Sequence, residues 1–251
     1  FDPFPSSCAL AISSAMTRAI LLFPILLAIA VLTGCGPRAN IDPVVVDPDV
    51  GRALPILMGT TRAIEAPGRY SKTERGALSY ARIVVSIPPS HQGGSVEVAG
   101  RQPDPSTEFV VRSTQQIGSS ESFRTELRRV FRANPDANNE AIVFIHGFNN
   151  TVGDGVFRLA QIDNDLTLEG VPIHYSWPSA ANPLGYVRDR DSALFARHGL
   201  SQLLDDIAAA GGQEIILMAH SMGSFLTMET LAWMSQNGNH PGFDRISGIV
   251  L

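Results

Sequence analysis

The second half of the chain predicts an α/β fold, a mostly parallel sheet with helices on both faces. Three observations carry that expectation. Ala141–Ile145 is a continuous apolar run, as in a strand buried on both faces. Such runs alternate with helix-competent stretches, which implies right-handed crossovers between parallel strands. Three polar motifs, H-G-F-N-N, S-W-P-S and A-H-S-M-G, each follow an expected strand. In open sheets of this kind, sites form beyond the carboxyl ends of the strands.

The 251 residues allow one large domain or one domain with an appendage, and a hydrophobic content of 44% provides for a sizeable core. A net charge of −5, with no basic run, gives no reason to expect nucleic acid as a partner. Two cysteines, without zinc-type spacing, give no reason to expect a metal or other cofactor. Oligomeric state is not legible.

Taken in order, the chain first reads M-T-R from Met16, then an apolar stretch Ala19–Leu32 broken at Pro24, then L-T-G-C at Leu32–Cys35. A basic residue, a short apolar run and small residues behind it make a secretory signal. A spanning helix needs roughly 20 apolar residues, more than this run supplies. L-T-G-C resembles the bacterial lipoprotein signal, in which the cysteine, here Cys35, is acylated. That resemblance implies a periplasm-facing protein of the cell envelope, attached to a membrane by its lipid. Gly36 after the cysteine points to the outer membrane. Residues 1–35 are thus expected to be upstream residues plus signal, and 36–53 an extended linker rich in Pro and Asp.

A single α/β domain is expected over 54–251, opening with a strand addition at 54–133. Leu54–Gly59 and Arg82–Ile87 read as strands, with a basic, polar loop at Arg62–Arg75 between them. Glu108–Arg112 is a further strand. Ser119 or Ser120 caps a helix at Glu121–Ala133, whose Phe123, Leu127, Val130 and Phe131 recur at helical spacing. After Ala141–Ile145 come a helix at Asp154–Leu168, a strand at Val171–Tyr175 and a helix at Ser192–Ala210, stopped by Gly211–Gly212. The strand Glu214–Ala219, the helix Ser224–Gln236 and the strand Ile246–Leu251 follow.

Chemistry concentrates on A-H-S-M-G. A serine between an apolar strand and a helix is the context of a nucleophile elbow, with small residues, Ala219 and Gly223, flanking the tight turn around Ser221. The alternative is an ordinary turn with a capping serine. The two companion motifs at strand ends favour the hydrolase. Acyl transfer also needs N–H donors where the oxyanion forms. Met222, directly after the serine, and Phe148, in the loop after the earlier strand, are the expected pair. His146 and Gly147 shape that loop. His146, His174, His198 and His220 are expected to be structural, and His240 an exposed loop residue. Trp177 is either core or acyl-pocket wall. Asp191 is expected to cap the following helix.

With these residues in view, the chain from Leu54 to Leu251 resembles a bacterial family of α/β-hydrolases of unknown function, DUF900, of esterase or lipase character. The matching segments are T-T-R at Thr60–Arg62, H-G-F-N-N at His146–Asn150, R-L-A-Q at Arg158–Gln161, S-W-P-S at Ser176–Ser179, Tyr186–Ala193 and A-H-S-M-G at Ala219–Gly223. The resemblance implies the α/β-hydrolase fold, a Ser–acid–His triad in that chain order, and a small-molecule or lipid ester as substrate. Acid and histidine in that order follow the nucleophile. The sequence stops in the apolar run I-S-G-I-V-L before supplying them, so it is expected to be a nearly inactive fragment. The other expectation is a non-catalytic surface lipoprotein that uses the fold as a binding platform.

The substitution Cys35→Ala is expected to move the protein from the membrane to the soluble periplasmic fraction. Unchanged fractionation would remove the lipid anchor from consideration.

Overall fold

The computed structural model describes residues 38–100 and 102–251. The expected start at Met16 and the acylated Cys35 lie outside the described residues. The described chain forms strands β1 (Arg52–Ala66), β2 (Arg69–Ile87), β3 (Val110–Ile117), β4 (Glu140–Ile145), β5 (Val171–Ser176), β6 (Glu214–Ala219) and β7 (Ile246–Val250). Its helices are α1 (Ser120–Ala133), α2 (Val152–Leu166), α3 (Tyr186–Ala209) and α4 (Met222–Gln236). None of these helices is long and apolar enough to cross a membrane.

All seven strands join one sheet in the order β3-β2-β1-β5-β4-β6-β7. Only β2 runs against its neighbours; β1, β5, β4, β6 and β7 are parallel. Strand side chains alternate across the sheet, and here both faces are covered. Val143 and Ile145 of β4 join Phe123 and Leu127 of α1, Leu200 and Leu204 of α3, and Leu226 of α4 in one buried cluster. Phe144, between them, joins Met58, Ile83 and the Val156, Phe157 and Ala160 face of α2 in the other. That two-sided burial is why β4 reads as unbroken apolar sequence.

The beginning of the domain departs from expectation. Arg62–Arg75 is no loop: β1 and β2 run on through it and turn at Pro67–Gly68, with Gly68 at φ +75. The exposed arms carry polar residues on both faces, so no apolar alternation marks them as strand. The P-G pair was the legible signal. For the same reason β3 extends through the polar S-T-Q-Q stretch to Ile117. Residues 38–50 are also not a free linker. Ala39 is buried, its N–H donates to Asp154 Oδ1 at 3.1 Å, and Val44 N–H donates to Val111 O at 2.8 Å.

Helix boundaries follow their caps. Ser119 caps α1 as anticipated. Thr151 and Asp154 form a reciprocal capping box that starts α2 at Val152 rather than Asp154. The third helix, α3, starts at Tyr186, so Asp191 is exposed within the helix and caps nothing. His240 is not an exposed loop residue: its side chain is only 14% accessible, with Nδ1 at 2.8 Å from Asp205.

One excursion, residues 88–98 after β2, is pinned across α2 by His91. Its Nδ1 lies 2.9 Å from Glu97 and its Nε2 2.8 Å from Asp165 of α2. The ring packs edge-on to Phe109. Burial opposes a charge on this ring, but the hydrogen bonds and charges of Glu97 and Asp165 outweigh it and hold the pKa above 6.5. Both carboxyls are held below their ordinary range, helped by Ser95 at Glu97 and by the Gly94 N–H and Gln161 at Asp165. A raised folded-state pKa means the His91 contribution is complete below the unfolded value, about 6.5, and is lost as pH rises through the folded one. Hydrogen-exchange protection factors of residues 88–98 are therefore expected to be highest near pH 6 and to fall at alkaline pH. His91→Gln should make them independent of pH across that window; a persisting pH dependence in the variant would refute the role of the imidazole.

Candidate active site

Register brings the three strand-end motifs to one level. Ile145 pairs with both Tyr175 and Ala219, and Thr60 of β1 pairs with Ser176. His146, Trp177 and His220 follow these residues directly, so the three loops leave the sheet side by side.

Ser221 sits at φ +55 and ψ −119, between β6 and the first turn of α4. A non-glycine residue in that region is strained and persists only where the surroundings impose it. The surroundings do so by close approach. A Cβ on Gly223 would stand 2.5 Å from Ile145 O and 2.6 Å from His146 O, and His220 N–H donates to Ile145 O at 3.1 Å. The turn therefore needs glycine at 223 and holds the elbow against the end of β4. Ala219, 8% exposed, supplies the other small residue. Ser221 is exposed and makes no side-chain capping hydrogen bond, which removes the capping alternative.

Met222 opens α4, where the first N–H groups have no acceptor within the helix. The helix dipole adds partial positive charge there.

The loop from Gly147 to Asn150 abuts the elbow. A Cβ on Gly147 would lie 3.1 Å from Ser221 Cβ and 2.6 Å from His220 Nδ1, so only glycine lets the two turns touch. Inside the loop, Asn150 Nδ2 donates to Phe148 O at 2.8 Å and to Gly147 O at 3.3 Å. Asn149 takes φ +61, and Arg38 donates to its carbonyl at 2.7 Å. Gly147 O also lies 2.9 Å from His146 Nδ1. In a trans peptide C=O and N–H point opposite ways. With Gly147 O turned toward His146 and Asn150, the Phe148 N–H faces the other side of the loop. The Phe148 ring is half-buried and packs edge-on to Tyr186 at 5.5 Å.

His146 is buried and stacks on Trp177 at 5.0 Å, with Nε2 3.1 Å from Trp177 O. Burial, then the neighbouring charge of Arg62, drive its pKa well below 6.5. It is a neutral spacer between two loops. His174, whose pKa burial lowers to about 3, is equally interior. Trp177 is fully buried and donates through Nε1 to His146 O at 2.7 Å, so it is core. His198 packs edge-on to Trp233.

The residue that gathers these loops is Arg62, 1% exposed. Its Nε donates to Ser176 Oγ at 3.0 Å, Nη2 to Asn150 O at 3.0 Å, and Nη1 to Ser179 O at 3.0 Å, Lys72 O at 3.2 Å and Ser71 O at 3.3 Å. Burial lowers its pKa to about 10, against the opposing charges of Asp189 and Asp154, so it stays a cation. Asp189 is buried beside this web and accepts from Ser179 Oγ at 2.6 Å and Ala180 N–H at 2.9 Å. Sequence reasoning quoted both residues in motifs but gave neither a role. The available signal was an arginine directly continuing the run M-G-T-T.

Among the described residues no group of His, Cys, Asp and Glu side chains is arranged to hold a metal ion.

The sequence model of the family described as "Alpha/beta hydrolase of unknown function (DUF900)" matches residues 119–251, which hold the elbow, the Gly147–Asn150 loop and S-W-P-S. The chain belongs to this family. No curated protein and no solved structure matches it. As an α/β-hydrolase, the chain uses its family's sheet to set the serine loop beside the histidine–glycine loop. Arg62 itself, with its acceptors Ser71 and Lys72, lies ahead of the matched span, while Asn150, Ser176 and Ser179 lie within it.

Replacing Arg62 by Leu should strand several buried acceptors and Asp189 without their cation, a loss on the order of 3–5 kcal/mol. Urea unfolding measures it. Arg62→Lys can satisfy only some of the five acceptors and should fall between the two. A leucine variant as stable as wild type would show that the web is dispensable.

Proposed function

We propose that this α/β-hydrolase is a lipid-anchored serine hydrolase that cleaves carboxylic esters through an acyl-enzyme on Ser221. The observation that carries the reading is the strained φ of Ser221 combined with its exposed, uncapped hydroxyl. A structural serine at a helix start has no need of that geometry. Anchoring rests on L-T-G-C with Cys35 as the acylated residue.

In the proposed reaction, Ser221 Oγ adds to the ester carbonyl carbon as its proton passes to a base. The N–H groups of Met222 and Phe148 hold the oxyanion. Collapse breaks the bond to the alkoxy group, which takes that proton and leaves as the alcohol. Water, deprotonated by the same base, then adds to the acyl-serine and releases the carboxylic acid and free Ser221. The base is assigned to none of the six histidines. His146 and His174 are buried and neutral, His91 and His240 are held by carboxylates, His198 packs on Trp233, and His220 packs against Gly147. The reading therefore rests on the nucleophile and the oxyanion donors and leaves the base unassigned.

The test uses the full coding sequence of the gene. Wild type is expected to hydrolyse short p-nitrophenyl esters, and Ser221→Ala to lose at least about 10³-fold in kcat at unchanged fold. Equal rates for the two proteins would sink the nucleophile assignment. A folded wild type without any esterase activity would leave the fold as a binding platform.

A further inference from the structure

A cavity of about 470 Å³ opens next to the elbow, within the range of about 300–1,000 Å³ common for ligand pockets. Its walls are Val96 and Val98 from the pinned 88–98 excursion, Phe144 of β4, and Phe157 and Ile162 of α2. Gly147 and His220, the pair that touches Ser221 or flanks it, also line the cavity. Most polar groups around it are already engaged; the exposed Arg158 and His220 are the side chains that keep polar atoms to spare. Asp154 accepts from Thr151 N–H at 2.8 Å and Ala39 N–H at 3.1 Å, and Arg158 donates to Gln161 at 2.7 Å. Asn150 is spent on its own loop, and both His146 nitrogens face carbonyls.

We propose that this cavity is the acyl-chain pocket, and that the ester substrate carries an unbranched aliphatic acid. The inference rests on Ser221 as nucleophile for its link to catalysis, but the pocket can be tested apart from it. Against Val96, Val98, Phe144, Phe157 and Ile162 a charged or sugar-like ligand would meet no polar partner, and burying its groups unpaired there costs free energy. An alkyl chain meets aromatic and branched apolar walls and gains by leaving water. The excursion stapled by His91 is one of those walls, so the pocket is built before the substrate arrives.

The experiment compares full-length wild type with Val96→Trp and Ile162→Trp, each of which fills the cavity from a partly buried position. Two readouts are taken, with thermal melting to establish that each variant folds. The first is kcat/KM for p-nitrophenyl esters from acetate to palmitate. Wild type is expected to prefer medium or long chains, and each variant to lower the decanoate-to-acetate ratio at least tenfold. The second is binding of a pyrene-labelled dodecanoic acid, expected to weaken at least tenfold in both variants. Unchanged ratio and unchanged binding in the folded variants overturn the pocket. If Ser221→Ala still hydrolyses esters, only the nucleophile reading fails, and fatty-acid binding alone decides the pocket.

Discussion

A guanidinium taken out of water must find a hydrogen-bond acceptor for nearly every N–H it carries, or the fold that buries it loses stability. Arg62 meets that demand by drawing acceptors from separate segments: the β2 arm, the start of the loop after β5, and the loop after β4. No two of those segments could shift independently without leaving part of the cation unpaired. The relative placement of the loops around Ser221 is thus set by electrostatic necessity at one buried point. Apolar packing alone tolerates sliding more readily than a directional web of this kind does.

A second constraint acts at shorter range. Two glycines, Gly147 and Gly223, sit where backbone meets backbone, and the space a side chain needs is already taken by His220, Ser221 or the end of β4. Their absence of Cβ lets the elbow turn against the neighbouring strand, and that contact keeps Ser221 in a conformation it would otherwise leave. Strain at the serine and stability in the sheet are two sides of one arrangement. The buried His146–Trp177 stack fills the space behind the loops with neutral, well-packed groups beside the Arg62 cation.

The central sheet was legible because burial on two faces leaves unmistakable apolar runs, and β6 was read to the residue at Glu214–Ala219. The elbow was legible because its glycine and serine are tied to tight geometry. What escaped was structure without an apolar signature. The β1–β2 arms carry polar residues on both faces, and the Thr151–Asp154 capping box lies across the point, Asp154, where the helix was read to begin. Arg62 and Asp189 escaped for a deeper reason. A charged residue reads as solvent-facing unless its partners are known; Arg62 finds Asn150, Ser176 and Ser179 far along the chain, and Asp189 finds Ser179 and Ala180 across a loop. Residues 38–50 looked like linker because Pro and Asp dominate them, while their attachment runs through scattered hydrogen bonds from Arg38, Ala39 and Val44.

The pairing of β1 with β5 joins Leu57 to Ile173, and Arg62 reaches Ser179 across 117 positions. Contacts so remote in sequence are closed late, because the entropy of the intervening loop must be spent before they give anything back. During folding the hydrophobic halves of the sheet can collapse early, while Arg62 stays hydrated until β4 and β5 are docked. The loops gathered by Arg62 are then the last part to be fixed and the first to loosen. A partly unfolded chain can keep the β4–β6 pairing that holds the Ser221 turn and still lose the fixed placement of the loops around it.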